Sequence, residues 1–181
     1  MTASIYEREI KSILSGNEKI INKIGLFFPP EVINNFRLIK KIPFIVIRGA
    51  GSLGFDLVAL RGEFAFPIEV KCSSSDTIRF STASGRLEKQ ANIYIKQCIR
   101  SRLVPIYIYR KKSQEKRLDY DPWRLFTLQL SSLELTGRSK LIYERIPKIS
   151  ETVYGYKIVR WSEGLPLNKF IEYIYILLNN P

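Results

Sequence analysis

Residues 43–71, PFIVIRGAGSLGFDLVALRGEFAFPIEVK, contain three apolar runs separated by two short breaks, a spacing that reads as one strand followed by a hairpin. The first run, Phe44 to Ile47, is capped by Arg48 and gives way to a small-residue loop, Gly49-Ala50-Gly51-Ser52. Phe55 and Asp56 then lead into the second run, Leu57 to Leu60, which turns at Arg61-Gly62 into the third, Phe64 to Val70. Side chains alternate faces along a strand, so Glu69 and Lys71 project together while Ile68 and Val70 face the other way. With Phe55-Asp56 opening one hairpin strand and Glu69-Val70-Lys71 closing the next, Asp56 stands beside Glu69.

Two carboxylates and an amine converging at a sheet end suit a hard divalent ion, and an adjacent lysine can orient or activate an attacking water. The chemistry suggested is metal-dependent phosphodiester hydrolysis. The plainer alternative is a solvated Glu-x-Lys ion pair of little energetic value. The upstream Asp, the hairpin-sized gap and the Arg-capped strand favour the first.

Charge bears on the partner. The chain has 29 Lys+Arg against 17 Asp+Glu, a formal +12, which favours a polyanion, nucleic acid before an anionic membrane. Solubility or thermophile habit gives the same bias. The chain has no histidine, which excludes Ser-His-Asp and Cys-His catalysis and Cys/His zinc sites. Catalysis must then run on carboxylates, lysine, tyrosine or a metal-bound water. Two cysteines, Cys72 and Cys98, make no disulfide framework and both read as buried thiols. No run is long enough to span a bilayer and MTASIYEREIK lacks a signal-peptide core, so a cytoplasmic protein without membrane contact is expected.

Taken in order, residues 4–14 read as a helix with Ser4 as N-cap and Glu7 at capping-box spacing. Residues 17–28 are a second amphipathic piece, and Pro29-Pro30 starts a helix over 31–40. Thr77 to Ser81 reads as a short strand. Residues 85–100 form the strongest helix, with Leu87, Ala91, Tyr94, Ile95 and Cys98 as its buried stripe. Residues 103–109 and 123–128 read as strands, 152–161 as another, and 166–178 as a closing helix, while 131–150 stay unassigned. Arg110 to Arg117, RKKSQEKR, reads as a basic loop, either solvated or contacting phosphate through Arg110, Lys111 and Lys112. The order fits one α/β domain, 1–181, with a mixed central β-sheet flanked by helices.

These residues resemble the archaeal Holliday junction resolvases, members of the PD-(D/E)XK restriction-endonuclease-like nucleases. Glu7-Arg8-Glu9, Arg48, Gly51-Ser52, Asp56-Leu57-Val58-Ala59 and Glu69-Val70-Lys71 stand in the family's order, and the spacing from Arg48 through Ser52 to Asp56 agrees with it. The resemblance covers about residues 4–14 and 43–128. It implies a restriction-endonuclease-like fold and an endonuclease of DNA recombination and repair that makes paired symmetric nicks in four-way junctions as a homodimer. By similarity, Asp56 and Glu69 would ligate Mg²⁺ or Mn²⁺, with the Val70 carbonyl and Glu7 as further contacts. Lys71 would act on the attacking water, Arg48 and Arg8 would grip phosphates, and Ser52 would touch the backbone.

Residues 15–42 are longer than the family's usual first connection, and 131–181 have no counterpart in it. The same centre acting on duplex sites, flaps or foreign DNA therefore stays open, as does a non-catalytic DNA-binding protein of this fold. A structural or metabolic protein fits the basic charge poorly. Gln90-x-x-x-Tyr94 resembles a motif beside the active site of other nucleases of the superfamily; its plain reading is one surface Gln and one core Tyr.

Overall fold

The computed structural model describes residues 3–49, 54–79, 86–113, 118–151 and 157–179. Three helices come first: α1 (Ala3–Leu14), α2 (Glu18–Ile24) and α3 (Pro30–Leu38). Strands β1 (Ile45–Arg48), β2 (Leu57–Arg61), β3 (Phe64–Ser73) and β4 (Thr77–Arg79) follow, then α4 (Arg86–Ser101), β5 (Ile106–Lys111) and β6 (Trp123–Phe126). The remainder is α5 (Gly137–Arg145), β7 (Ser150–Glu151), β8 (Lys157–Arg160), a 3-10 turn at Trp161–Glu163, β9 (Leu165–Pro166) and α6 (Leu167–Asn179).

Six strands make the central sheet, in the order β1-β2-β3-β5-β6-β9. β1 pairs antiparallel to β2, and β2 antiparallel to β3, with Leu57 opposite Ile68 and Arg61 opposite Phe64. Gly62, at φ +53°, makes the tight turn between them, a conformation that costs glycine no steric penalty. β5 then pairs parallel to β3, and a parallel neighbour requires a crossover, which α4 supplies. The sheet is thus mixed and flanked by helices, the expected fold class.

Each face of the sheet has its own core. Ile68, Val70, Ile106 and Ile108 share one cluster with Ile10 and Ile13 of α1, Phe36 of α3, and Phe170 and Ile174 of α6. Residues one position along, Tyr107 and Tyr109, share the other with Tyr94 and Cys98 of α4, Val159 and Ile149. Full burial of each such aliphatic side chain contributes roughly 1.5–3 kcal/mol, so the two faces together fix the register of β3 and β5. Asp121 joins β6 to α6: it is buried and accepts hydrogen bonds from the backbone of Trp123 (2.9 Å) and Asn168 (2.7 Å).

Several expectations are corrected. α1 begins at Ala3, so Ser4 lies inside its first turn and does not cap it. The two helical pieces expected within residues 15–42 are present as α2 and α3, and they pack on α1 and α6 of the same chain. Residues 137–145, unassigned from sequence, are helical, and only Ile142 is fully buried among its nine. Of the expected strand 152–161, residues 152–156 lie outside the described ones, 157–160 are β8 and Trp161 opens the 3-10 turn. β8 joins β4 and β7, which precedes that stretch, in a second, three-stranded sheet of order β4-β8-β7. The expected strand at 77–81 is β4, ending at Arg79, beyond which residues 80 and 81 lie outside the described ones. Cys98 is buried, but Cys72, near the end of β3 on the face of Ile68 and Val70, is only half-buried.

Candidate active site

The hairpin register carries Asp56 to Glu69. Asp56 follows the β3 ladder by donating its N–H to the Ile68 carbonyl at 2.9 Å, and its own carbonyl accepts from Gly49 N–H at 2.7 Å. Its carboxylate turns toward the β3 backbone, where Oδ2 accepts from the Val70 N–H at 2.7 Å. Glu69 is 4% exposed on the α4-facing side of β3, opposite Tyr107 of β5. Two residues on, Lys71 Nζ donates to Glu69 Oε1 at 2.6 Å. The pair is not the solvated one that a Glu-x-Lys triplet usually makes: Lys71 is 22% exposed and Glu69 only 5% at the side chain.

From α4, Gln90 Nε2 donates a long hydrogen bond of 3.4 Å to the same Oε1. Gln90 therefore faces the carboxylate pair and is not simply a surface residue. Tyr94, one turn further on, is a core residue. Its hydroxyl accepts from Ile106 N–H at 2.7 Å and lies 2.8 Å from the Pro67 carbonyl, tying β3 to β5 beneath the site.

Glu69 Oε2 is buried and has no hydrogen-bond partner. Burial is the main reason the Glu69 carboxyl is pushed up to about 7; the Lys71 charge opposes the shift and the Asp56 charge adds to it. Asp56 is also raised, first by burial, against the stabilising Val70 N–H, with the Glu7 charge adding to the rise. Two adjacent carboxylates that both resist ionisation are short of positive charge, and an orphaned buried oxygen marks where it is lacking.

Glu7 reaches this end of the sheet from α1 and pairs with Arg48 Nη2 at 2.5 Å. Arg48 stays half exposed beside it. Among the described residues no three His, Cys, Asp or Glu side chains gather into a metal-holding group; Asp56 and Glu69 form a pair, with Glu7 engaged by Arg48. The donor set, two carboxylates with one free buried oxygen, nevertheless suits a hard cation such as Mg²⁺ or Mn²⁺.

The other sequence candidates scatter. Ser52 lies outside the described residues. Arg8 is exposed on α1 and lines a groove between α1 and α2. Arg110 and Lys111 do not belong to an open loop but end β5. The Arg110 guanidinium lies over the Tyr6 and Trp123 rings, 5.4 and 5.5 Å from their centroids, and pairs with Glu9 at 3.7 Å. Lys111 pairs with Asp76 at 2.6 Å and lies over the Trp161 ring. Lys112 follows directly, its N–H bonded to the Ser73 carbonyl. Glu9 went unread in the sequence; it also accepts from Trp123 Nε1 at 3.0 Å, and its place in Glu7-Arg8-Glu9 was the available signal.

Among the described residues no helix is long and apolar enough to cross a membrane. No protein-family model and no curated protein matches the chain. Among solved structures it is similar to that of Archaeoglobus fulgidus Hjc, a Holliday junction resolvase from an archaeal hyperthermophile. The identity is 16% and the TM-score 0.46, over 74% of this chain and 85% of that one.

Proposed function

We propose that the chain is a metal-dependent DNA endonuclease whose centre is Asp56, Glu69 and Lys71. The observation that carries this reading is the buried, unpartnered Oε2 of Glu69 beside Asp56, with Lys71 bound to the other oxygen of the same carboxylate. Asp56 and Glu69 would hold Mg²⁺ or Mn²⁺, which when bound supplies Lewis-acid polarisation of a phosphate oxygen and a water of lowered pKa. The chain's own contributions are distinct. Val70 N–H fixes one Asp56 oxygen, leaving the other for ligation. Lys71 offsets carboxylate charge in the resting site and is placed to orient the attacking water and to stabilise charge on phosphate oxygens. Arg48, half exposed at the rim, offers a guanidinium that can bind two phosphate oxygens at once. Glu7 holds that guanidinium in place.

The sequence resemblance favours four-way DNA junctions as substrate and a two-fold homodimer that nicks both strands symmetrically. Recognition would then rest on backbone charge and branch shape, so binding should fall steeply with salt. The same centre acting on another DNA is the second reading, favoured by α2 and the turn that follows it, which build a groove beside α1.

The test is cleavage of a labelled synthetic four-way junction against matched duplex and flap DNA, in Mg²⁺ and in EDTA, with Asp56→Ala as control. Paired symmetric nicks in the junction alone, lost in EDTA and in the variant, are the expected result. Cleavage of duplex or flap would move the substrate; tight binding without cutting in any divalent metal would refute the catalytic assignment.

A further inference from the structure

Between α1 and α2 lies an open groove of about 680 Å³, walled by Arg8 of α1, Lys23, Ile24 and Phe27 of the α2 segment, and Arg110 of β5. Its apolar wall is unusually bare, with Ile5 56% and Phe27 40% exposed. Its polar wall is cationic: Arg8, Lys23 and Arg110 face one carboxylate, Glu9. Glu9 is already engaged by Trp123 Nε1 and by Arg110, and Arg110 Nε is buried without a hydrogen-bond partner. The groove is preformed, since Leu118 N–H bonds the Phe27 carbonyl at 2.8 Å and Ile21 anchors α2 in the core.

An aromatic face beside clustered cations suits an anion with a flat apolar body. Within a DNA substrate an unpaired base exposes such a face, whereas a paired one is stacked within the duplex. The groove is also close to the catalytic centre along the chain. Glu7, whose charge is felt by Asp56, and Arg8, which lines the groove, are consecutive residues of α1. We propose that this groove seats one unpaired nucleotide of the DNA substrate, its base against Phe27 and Ile5 and its phosphate toward Arg8 and Lys23. The inference rests on DNA as the substrate of the catalytic centre, and it favours the second reading of that substrate, DNA with a single-stranded segment such as a flap, over a fully paired junction.

The test is equilibrium binding, by fluorescence anisotropy in EDTA, of a duplex with a single-stranded overhang and of a fully paired duplex of equal length. Phe27→Ala and Lys23→Gln change exposed groove residues outside the catalytic centre, and unchanged thermal midpoints would show that both variants fold. Each is expected to weaken overhang binding roughly tenfold while leaving the paired duplex unaffected. A 2-aminopurine in the overhang should change its emission on binding wild type but not Phe27→Ala. Equal weakening on both DNAs, or none on either, would overturn the proposal. So would a change in elution volume of the variants, which would assign the groove to a second copy of the chain. Because EDTA prevents turnover, an overhang preference in a protein that cuts nothing in Mg²⁺ would refute the nuclease reading and retain the groove.

Discussion

Lys71 holds one oxygen of Glu69 at 2.6 Å while the other oxygen of the same carboxylate is buried and unpartnered. The half-satisfied carboxylate is costly to ionise, and its carboxyl is accordingly pushed up to about 7 from an ordinary 4.5. In the metal-free protein a raised pKa means that the folded state binds the proton more tightly than the unfolded chain. Stability from this group is therefore full below about 4.5 and is lost as pH rises through about 7. Thermal melts in EDTA should show that decline, and Glu69→Gln should remove it, melting about 2–4 °C above wild type at pH 8. A steeper decline in Glu69→Gln than in wild type would contradict the assignment.

Addition of Mg²⁺ should reverse the sign. A cation bound by Asp56 and Glu69 favours their ionised forms, so it should raise the wild-type melting temperature at pH 8 and leave Asp56→Ala and Glu69→Gln unchanged. Calorimetric titration with Mg²⁺ and Mn²⁺ reads the same linkage directly, without DNA.

Lys71→Met keeps much of the side chain's length and removes its charge. It leaves Glu69 without its cation, so the cleavage rate in single-turnover assays should fall about 10²–10⁴-fold, while junction affinity in EDTA stays within a factor of two to three. A parallel loss of affinity would mean that Lys71 holds DNA and does not act on the reacting atoms.

Tyr94 tests the floor of the site. Removing its hydroxyl strands the buried Ile106 N–H, which Tyr94 now accepts at 2.7 Å. Tyr94→Phe should lower the unfolding free energy by roughly 1–3 kcal/mol in urea titrations. Metal affinity should change little, because no ligand moves; a large loss would place Tyr94 in the centre itself.

The approach of Asp56 to Glu69 was legible in the sequence because two short-range rules decide it. Alternation fixes which β3 residues share a face, and the Arg61-Gly62 turn fixes which β2 residue meets which. The mixed sheet was legible for the same reason, from dense apolar runs. What was hidden depends on contacts between distant segments. Arg110 reads as the start of a charged loop, yet the Tyr6 and Trp123 rings and Glu9 hold it down, and none of these lies near it in sequence. The second sheet was obscured because β4 leaves Thr77 and Arg79 exposed and its three residues carry almost no pattern. Gln90 faces Glu69 only because α4 crosses over from β3 to β5, which no local periodicity reveals.

Gly49 carries the last prediction. It ends the Arg48-capped strand, and its N–H bonds the Asp56 carbonyl at 2.7 Å, so it sets the path by which Asp56 enters the site. A Cβ at this position would stand 2.5 Å from the Phe55 carbonyl oxygen and 3.1 Å from its ring. The first of these is backbone, which cannot swing aside as a side chain could. Gly49→Ala must therefore push the Phe55-Asp56 peptide away from β1, and strain of this kind costs typically about 1–3 kcal/mol. The displaced segment carries Asp56, the proposed metal ligand, so Mg²⁺ affinity by calorimetry should weaken about tenfold or more even where the variant is fully folded. Restored affinity would require β1 and the Asp56 segment to separate without moving the carboxylate. A Gly49→Ala protein that melts like wild type and binds Mg²⁺ like wild type would show that the close approach of Gly49 to Phe55 does not position Asp56.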